Sequence, residues 1–363
     1  MNPSGSLVSL HLTGEGKDDI ALDTLPGKIT ITRTDAALTP YGGLTAWSGF
    51  LKHLGLIERL ADHCPVVRTS PNAAPVREVL HSFLLAALVE GKRFCHVRWL
   101  LDDPAVATLM GMDRVRGEDA LPRLAKGLDA ESLRQWMQRP QTELYAALPE
   151  RFIADWDSTV NTRYGHQEAA AVGYNPHKRG RKSHHPLLCV AAHTRLCLHL
   201  EWRPGDTVSA TDWQPAMEKL WAHPTNVFDE LKNQWGFRGY CRGRAVVTEL
   251  AARLMLLTYN LWSLFTRLMG LNPGHHTEAI KSRRDFLFMA AQVVESGRQR
   301  TVKLAVMAEW WTTLKACYER LRTWLRSTAP QLEEQGQWLR LLPRKHTKNA
   351  LEWLAQPPPT PSG

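Results

Sequence analysis

Residues 152–203 constrain the fold most, because three strand-like runs lie close together there. The runs are 152–160, 186–192 and 196–203, and a hairpin near residues 193–195 joins the last two. The first run carries Asp155 and Asp157, which alternate along an extended chain and therefore lie on one face of the strand. The sequence thus predicts a small sheet whose first strand presents a pair of carboxylates.

The chain before this sheet has a helical period from about Thr39 to Leu148. The predicted helices are Leu51–Ala61, Val76–Leu88, Cys95–Leu101, Pro104–Met110 and Glu118–Leu128. The last two flank a turn at Gly111–Gly117, so a DNA-binding helix-turn-helix and ordinary helix packing are both open interpretations. Residues 1–38 form a lead-in whose one strand-like run is Lys28–Thr32.

The chain after the sheet is also largely helical. A long helix is predicted at Ala245–Met269, stopped by Gly270, and amphipathic helices are predicted from Thr301 to Leu341. The apolar run within the long helix is too short to span a bilayer, so we expect no membrane partner. The predicted division is 1–38, 39–150 (helical), 151–270 (sheet and helices), 271–355 (helices) and 356–363, a disordered tail.

Composition favours a nucleic-acid partner. Lys plus Arg number 45 against 36 for Asp plus Glu, which draws a chain to phosphate backbones. The six cysteines form no CxxC pair, and the N-terminus has neither a basic nor an apolar run. We therefore expect a reducing, cytoplasmic location.

Five segments in the middle of the chain carry a family resemblance. They are Asp155-Trp-Asp-Ser-Thr-Val160, Tyr164-Gly-His-Gln-Glu168, Gly173-Tyr-Asn-Pro176, His185-Pro-Leu-Leu188 and Asn226-Val-Phe-Asp-Glu-Leu-Lys-Asn-Gln-Trp-Gly236. They resemble the bacterial insertion-sequence DDE transposases, in the branch with a tyrosine, arginine, glutamate, lysine motif. The resemblance runs from about Thr39 to Leu354. It implies an RNase H-like fold, DNA transposition, Mg²⁺, terminal inverted repeats as the bound DNA and a possible homodimer.

The family's chemistry uses two divalent metals held by three carboxylates from separate parts of the chain. By resemblance, Asp157 is the first catalytic and metal-binding Asp, and Lys232 matches the lysine of the last motif, which makes it a predicted DNA-binding residue. Counting back from Lys232 places Thr225 where the family has its glutamate. The strand with the second Asp has no counterpart. We therefore predict an internal deletion and an α+β, helix-rich chain. A helical N-terminal DNA-binding domain, residues 39–150, precedes a truncated RNase H-like domain with a three-stranded sheet remnant and helices.

The basic segment between the first two strands is the main candidate for DNA contact. Its cations are Lys178, Arg179, Arg181 and Lys182. A solvated loop is the alternative interpretation. By resemblance the loop lies on the face that handles DNA, which favours phosphate contact. A second basic run, Lys281–Arg284 with Arg298–Arg300, is compatible with the same role.

Two functional hypotheses follow. In one, the chain is an active transposase in which Asp206, Asp212 or Asp229 replaces the missing carboxylates. In the other, it is a catalytically inert DNA-binding remnant. A sheet that lacks its Asp-bearing strand would also leave residues 152–160 at an edge, to be covered by helices or by a second copy.

Overall fold

A computed structural model describes most of the chain. The described residues are 20–145, 148, 152–192, 194–207, 227–271, 275–297 and 299–328. The chain divides into two compact units, Met1–Ala37 and Leu38–Gly363. In the first unit, strands β1 (Ile20–Thr24) and β2 (Gly27–Ile31) form an antiparallel hairpin. The sequence predicted the second of these strands and missed the first.

The second unit begins with a short strand, β3 (Leu38–Thr39), and a helical region. Its helices are α1 (Leu44–Leu54), α2 (Leu56–Asp62), α3 (Val76–Leu88), α4 (Arg98–Leu101), α5 (Pro104–Leu109), α6 (Ala120–Ala125) and α7 (Ala130–Tyr145). A 3₁₀ turn, Phe94–Val97, leads into α4. Helix α3 has the bounds that its apolar period and Pro75 predicted.

The prediction of one helix over Leu51–Ala61 is wrong. Gly55 has a φ of 59°, in the left-handed region, and its N–H donates to the carbonyl of Leu51. Glycine adopts this conformation without a Cβ penalty, so it ends α1 and lets α2 start in a new direction. The apolar period continued through the break because both helices face the same core.

Two small antiparallel sheets follow. The first has β4 (Ala154–Ser158), β8 (Leu187–Ala191) and β9 (Leu196–Glu201) in the order β4-β8-β9. The second has β5 (Asn161–Thr162), β6 (Ala171–Val172) and β7 (Lys182–His184) in the order β5-β7-β6. All three predicted strands are confirmed within two residues at each end. Among the described residues, β4 and β9 are the outer strands of the first sheet.

Helix α8 (Val227–Gln234) precedes the longest helix, α9 (Ala245–Met269). The prediction of α9 is confirmed at both ends. Every residue of α9 except Ala245 and Arg267 is buried. Its neighbours include α3, α6, α7 and β9. None of the described helices has the length and apolarity needed to cross a membrane.

The C-terminal part contains α10 (Ala279–Phe286), β10 (Ala291–Ser296), β11 (Gln299–Leu304) and α11 (Ala308–Thr328). The predicted start of helix at Thr301 is wrong, because residues 299–304 pair with β10 in a sheet of order β11-β10-β3. The β-branched residues Val293, Val294 and Val302 suit this pleated arrangement. The predicted helix beyond Thr328 lies outside the described residues.

One hydrophobic core extends through the second unit from α1 to α11. The mixture of helices and small sheets makes the chain an α+β protein, as predicted. The finer division at residues 150, 270 and 355 stays a prediction.

Asn260 on α9 joins this core to the outer strand β9. Its side-chain oxygen accepts from the N–H of Cys197 at 2.8 Å, and its amide nitrogen donates to the carbonyl of Cys197, also at 2.8 Å. Both residues are buried. The Asn260 amide therefore satisfies two backbone groups that β8 does not reach.

We predict that Asn260→Leu lowers the free energy of unfolding by about 2–4 kcal/mol, because two buried backbone groups lose their partner. Urea unfolding measures the effect, and Lys315→Ala, at an exposed position of α11, serves as the control with little change. A loss as small as the control's would show that Asn260 is dispensable for anchoring β9.

Candidate active site and nucleic-acid interface

Asp157 is the exposed member of the predicted carboxylate pair. It lies near the end of β4, opposite Leu188 of β8, whereas Asp155 is only 7% exposed. The two side chains share one face of the strand, as the two-residue period requires. Only Asp157 is thus open to an incoming ligand.

Three neighbours and partial burial decide the charge on Asp157. Burial raises the pKa of its carboxyl group, and the negative charge of Asp155 raises it further. The backbone N–H of Ser158 and the ammonium group of Lys232 act in the opposite direction, but the net shift is upward. Burial also raises the pKa of the Cys189 thiol to about 12, and the charge of Asp155 contributes. This part of the sheet, where Cys189 of β8 lies opposite Trp156 of β4, therefore disfavours further negative charge.

Lys232 approaches Asp157 from α8. The sequence predicted Lys232 as a DNA-binding residue and Asp157 as a catalytic one, and in the structure the charge of Lys232 acts on the Asp157 carboxyl group. Lys232 is partly exposed, while its neighbour Leu231 is fully buried. Helix α8 thus presents a cation to the carboxylate while its apolar side packs on the core.

Sequence reasoning missed the residue that holds α8 in place. Glu230 is 3% exposed and accepts from His276 Nε2 at 2.8 Å, from the N–H of Ala279 at 3.1 Å and from Arg195 at 3.3 Å. These bonds lower the pKa of Glu230 despite the opposing effect of burial. With its oxygens already engaged, Glu230 is an anchor for α8 rather than a free metal ligand. Its partners are distant in sequence, so no local pattern could reveal them.

The proposed substitute carboxylates do not join Asp157 among the described residues. Asp206 lies beside the second sheet, where the backbone of Gly205 and Asp206 passes so close to Gly173 that a Cβ at Gly173 would clash. Asp212 and the side chain of Asp229 lie outside the described residues, as does Thr225 with the predicted break. Within the described part of the chain, no group of three or more His, Cys, Asp or Glu side chains could hold a metal ion.

The carboxylates of the described residues around Asp157 therefore do not fit a site for two Mg²⁺ ions. Hard divalent cations need several carboxylate oxygens. This site offers the exposed carboxylate of Asp157 and, two residues earlier on the same face of β4, the buried carboxylate of Asp155. The ammonium group near Asp157 also offsets the charge that would attract a metal.

The basic loop lies at one end of the second sheet. All four of its predicted DNA-binding residues are exposed: Lys178, Arg179, Arg181 and Lys182. Among the described residues, none of the four forms an ion pair. Asn175 holds the loop in shape, since its Nδ2 donates to Thr162 Oγ1 and its Oδ1 accepts from the N–H of Lys178, both at 2.9 Å. The four positive charges are available to an anionic partner.

The two sheets connect this loop to Asp157. The chain runs from β4 into β5 and from β7 into β8, and the N–H of Thr159 donates to the carbonyl of Pro186 between them at 3.1 Å. Asp157 and Thr162 are five positions apart, so the end of the second sheet is roughly 16 Å from the carboxylate at about 3.3 Å per residue.

The second basic run does not form a matching surface. Arg283 is fully buried, donates to the carbonyls of Gln234 at 2.7 Å and Ala87 at 3.1 Å, and lies 4.0 Å from the ring centre of Trp235. Arg300 pairs with Glu295 at 2.7 Å. The interpretation of this run as a phosphate contact is thus wrong for Arg283, whose charge holds α10 to the core, while Arg298 lies outside the described residues.

We predict that Asp157→Asn stabilises the fold at pH 7. A raised pKa in the folded state means that ionisation opposes folding: the carboxyl contributes stability below its unfolded pKa of about 3.9, and this contribution is lost as pH rises through the folded value. The stability advantage of Asp157→Asn over the wild type should therefore become smaller as the pH is lowered from 7 to about 4. Urea unfolding at both pH values measures it.

Asp113→Asn, at an exposed loop position, is the control for this experiment. Equal or lower stability of Asp157→Asn at pH 7 would mean that Lys232 outweighs burial and that the carboxylate is favourably ionised in the folded state.

Comparison with known proteins agrees with the motif positions. The family model for the transposase DDE domain, group 1, matches residues 26–253. The match includes β4 with Asp157, the basic loop, Lys232 and the first part of α9. No curated protein and no solved structure matches the chain significantly. Members of DDE transposase families generally use divalent metal ions. Since the family model covers well over half of the sequence, the chain belongs to the DDE-domain transposases of group 1.

Proposed function

We propose that this protein binds the end DNA of an insertion sequence and does not itself carry out cut-and-paste transposition. The observation that carries the proposal is the surrounding of Asp157. Within the described residues, the charges that act on its carboxyl group are those of the buried Asp155 and of Lys232, and neither is a second exposed acid.

Strand cleavage and joining require one metal at the attacking oxygen and another at the leaving oxygen. A single exposed carboxylate supplies too few oxygens to position two ions, so most of the electrostatic stabilisation of the transition state is lost. The predicted deletion before Asn226 supports the same conclusion, because it removes the family's second Asp and its Glu.

DNA binding is supported by charge that is separate from the incomplete metal site. Four exposed cations project from an ordered loop at one end of the second sheet, and Lys232 adds a fifth near Asp157. Phosphate contacts of this kind position a duplex without reading its bases. We expect double-stranded terminal inverted repeats as the natural ligand, with a homodimer bridging two ends.

A second candidate function is an active enzyme with a rearranged acid set. Position 229 is three residues before Lys232 in α8, and positions three apart on a helix lie on one side of it. Because the charge of Lys232 acts on Asp157, this side of the helix is the place from which a replacement carboxylate would act.

The first test is catalytic. We expect the purified protein to neither nick nor join DNA that carries the terminal repeats, with Mg²⁺ or Mn²⁺ present, in a gel-based strand-transfer assay. The opposite outcome would be strand transfer by the wild type that is lost in both Asp157→Ala and Asp229→Ala but kept in Asp113→Ala. That result would contradict the proposal and support an active enzyme with a rearranged set of acids.

The second test concerns binding. Replacing Lys178, Arg179, Arg181 and Lys182 by Ala should weaken duplex binding and lower the slope of log K against log salt by about 0.9 for each phosphate that no longer has a cation bound to it. Fluorescence anisotropy over a salt series measures the slope. The matched control replaces the exposed Lys126 and Lys315, and its slope should stay near that of the wild type. A slope unaffected by the four loop changes would make this segment an ordinary solvated loop.

A further inference from the structure

The second sheet brings two exposed tyrosines to the end that carries the basic loop. Strands β5 and β6 both run antiparallel to β7, so they point in the same direction. Tyr164 follows β5 by two residues and Tyr174 follows β6 by two residues, so both emerge at the end where β7 begins. The loop cations reach the sheet at the same end, since Lys182 is the first residue of β7.

Both rings are available to a ligand. Tyr164 is 67% exposed and Tyr174 is 77% exposed, among the largest exposures of aromatic side chains in the described chain. Tyr164 is already surrounded by cations: the hydroxyl accepts from Lys178 Nζ, which is 4.8 Å from the ring centre, and the Arg181 guanidinium carbon is 5.8 Å from it. The surface thus combines flat apolar rings with unpaired positive charge.

Packing of the hydrophobic core does not explain why these two tyrosine rings are exposed. Two large rings in solvent give up the stability that burial would provide, and the loop beneath them is held in place by Asn175. Rings and cations on an ordered surface are the two components by which proteins hold single-stranded nucleic acid: the cations follow the backbone and the rings stack on bases. Bases inside a duplex are already stacked on each other, so only unpaired bases can use the rings.

We propose that Tyr164 and Tyr174 form a stacking surface for unpaired bases of the bound DNA. Tyr164 follows Asp157 by seven positions, so the surface is at most roughly 23 Å from Asp157 at about 3.3 Å per residue, which corresponds to about seven stacked nucleotides at about 3.4 Å each. The preferred ligand is therefore a duplex with a short single-stranded extension. The inference rests on the proposed function, because the same loop cations hold the phosphates.

The experiment compares, by fluorescence anisotropy, a blunt duplex with the same duplex carrying a 3′ or a 5′ extension of about seven unpaired nucleotides. We expect the wild type to bind one extended duplex at least about fivefold more tightly than the blunt one, the smallest effect of one stacked base. Tyr164→Ala with Tyr174→Ala should remove this preference, measured as the ratio of the two affinities, because Tyr164 also contacts Lys178 and Arg181.

Three further variants make the test specific. Tyr174→Ala alone changes no described contact with the loop cations, and it should lower the preference by itself. The pair Tyr164→Phe and Tyr174→Phe keeps both rings and should keep the preference. Trp311→Ala removes an exposed aromatic ring from α11 and should have no effect. Urea unfolding confirms that each variant is folded.

The possible failures are distinguishable. A wild type that binds both duplexes equally, or an Ala pair that keeps the preference, overturns the stacking surface and leaves the proposed function intact. A wild type that binds no DNA overturns the proposed function, and the stacking surface with it.

Discussion

The burial of α9 is the constraint on which the rest of the second unit depends. A helix that is apolar on all sides has to be covered on all sides, and α3, α6, α7, α11 and β9 provide that cover. Its polar residues impose a stricter condition, because each needs a partner in the interior. Arg253 bonds to Glu249 and to the carbonyl of Leu200, and Trp262 donates to Ser282 at 2.9 Å. These bonds determine where the neighbouring elements lie.

The candidate site is held by polar contacts that extend outward from this core. Arg163 follows β5 and is buried; its Nε donates to His184 Nδ1 at 3.1 Å and its Nη1 to the carbonyl of Arg238 at 3.0 Å. Burial lowers the pKa of His184 to about 4, so the imidazole is neutral and its Nε2 donates to the carbonyl of Glu168. The second sheet, with the loop it carries, is therefore joined to the chain that leads into α9.

The family scaffold and the family chemistry have different requirements. The scaffold of this chain has apolar helices, paired sheets and the anchors Asn260 and Glu230. Two-metal chemistry needs several carboxylates close together, and no such group occurs among the described residues. A fold does not by itself imply an activity, and the proposed DNA-binding surface of exposed cations and tyrosines does not depend on metal. Because the cation surface does not depend on a metal site, DNA binding can persist in this chain without DNA cleavage.

The sequence by itself determined the elements whose signals are local. Helices α3 and α9 were predicted with correct bounds because each has an apolar period and a flanking signal, Pro75 at the start of α3 and Gly270 at the end of α9. The strand carrying Asp157, the exposed basic loop and the position of Lys232 also followed from short motifs. Only the tertiary structure decided the relations between distant residues. The approach of Lys232 to Asp157, the burial of Arg283 and the pairing of β10 with β11 all depend on which surfaces pack together, and no local pattern records that. The charge on Asp157 is likewise a property of the assembled site, because burial and neighbouring charges act on it only after the chain has folded.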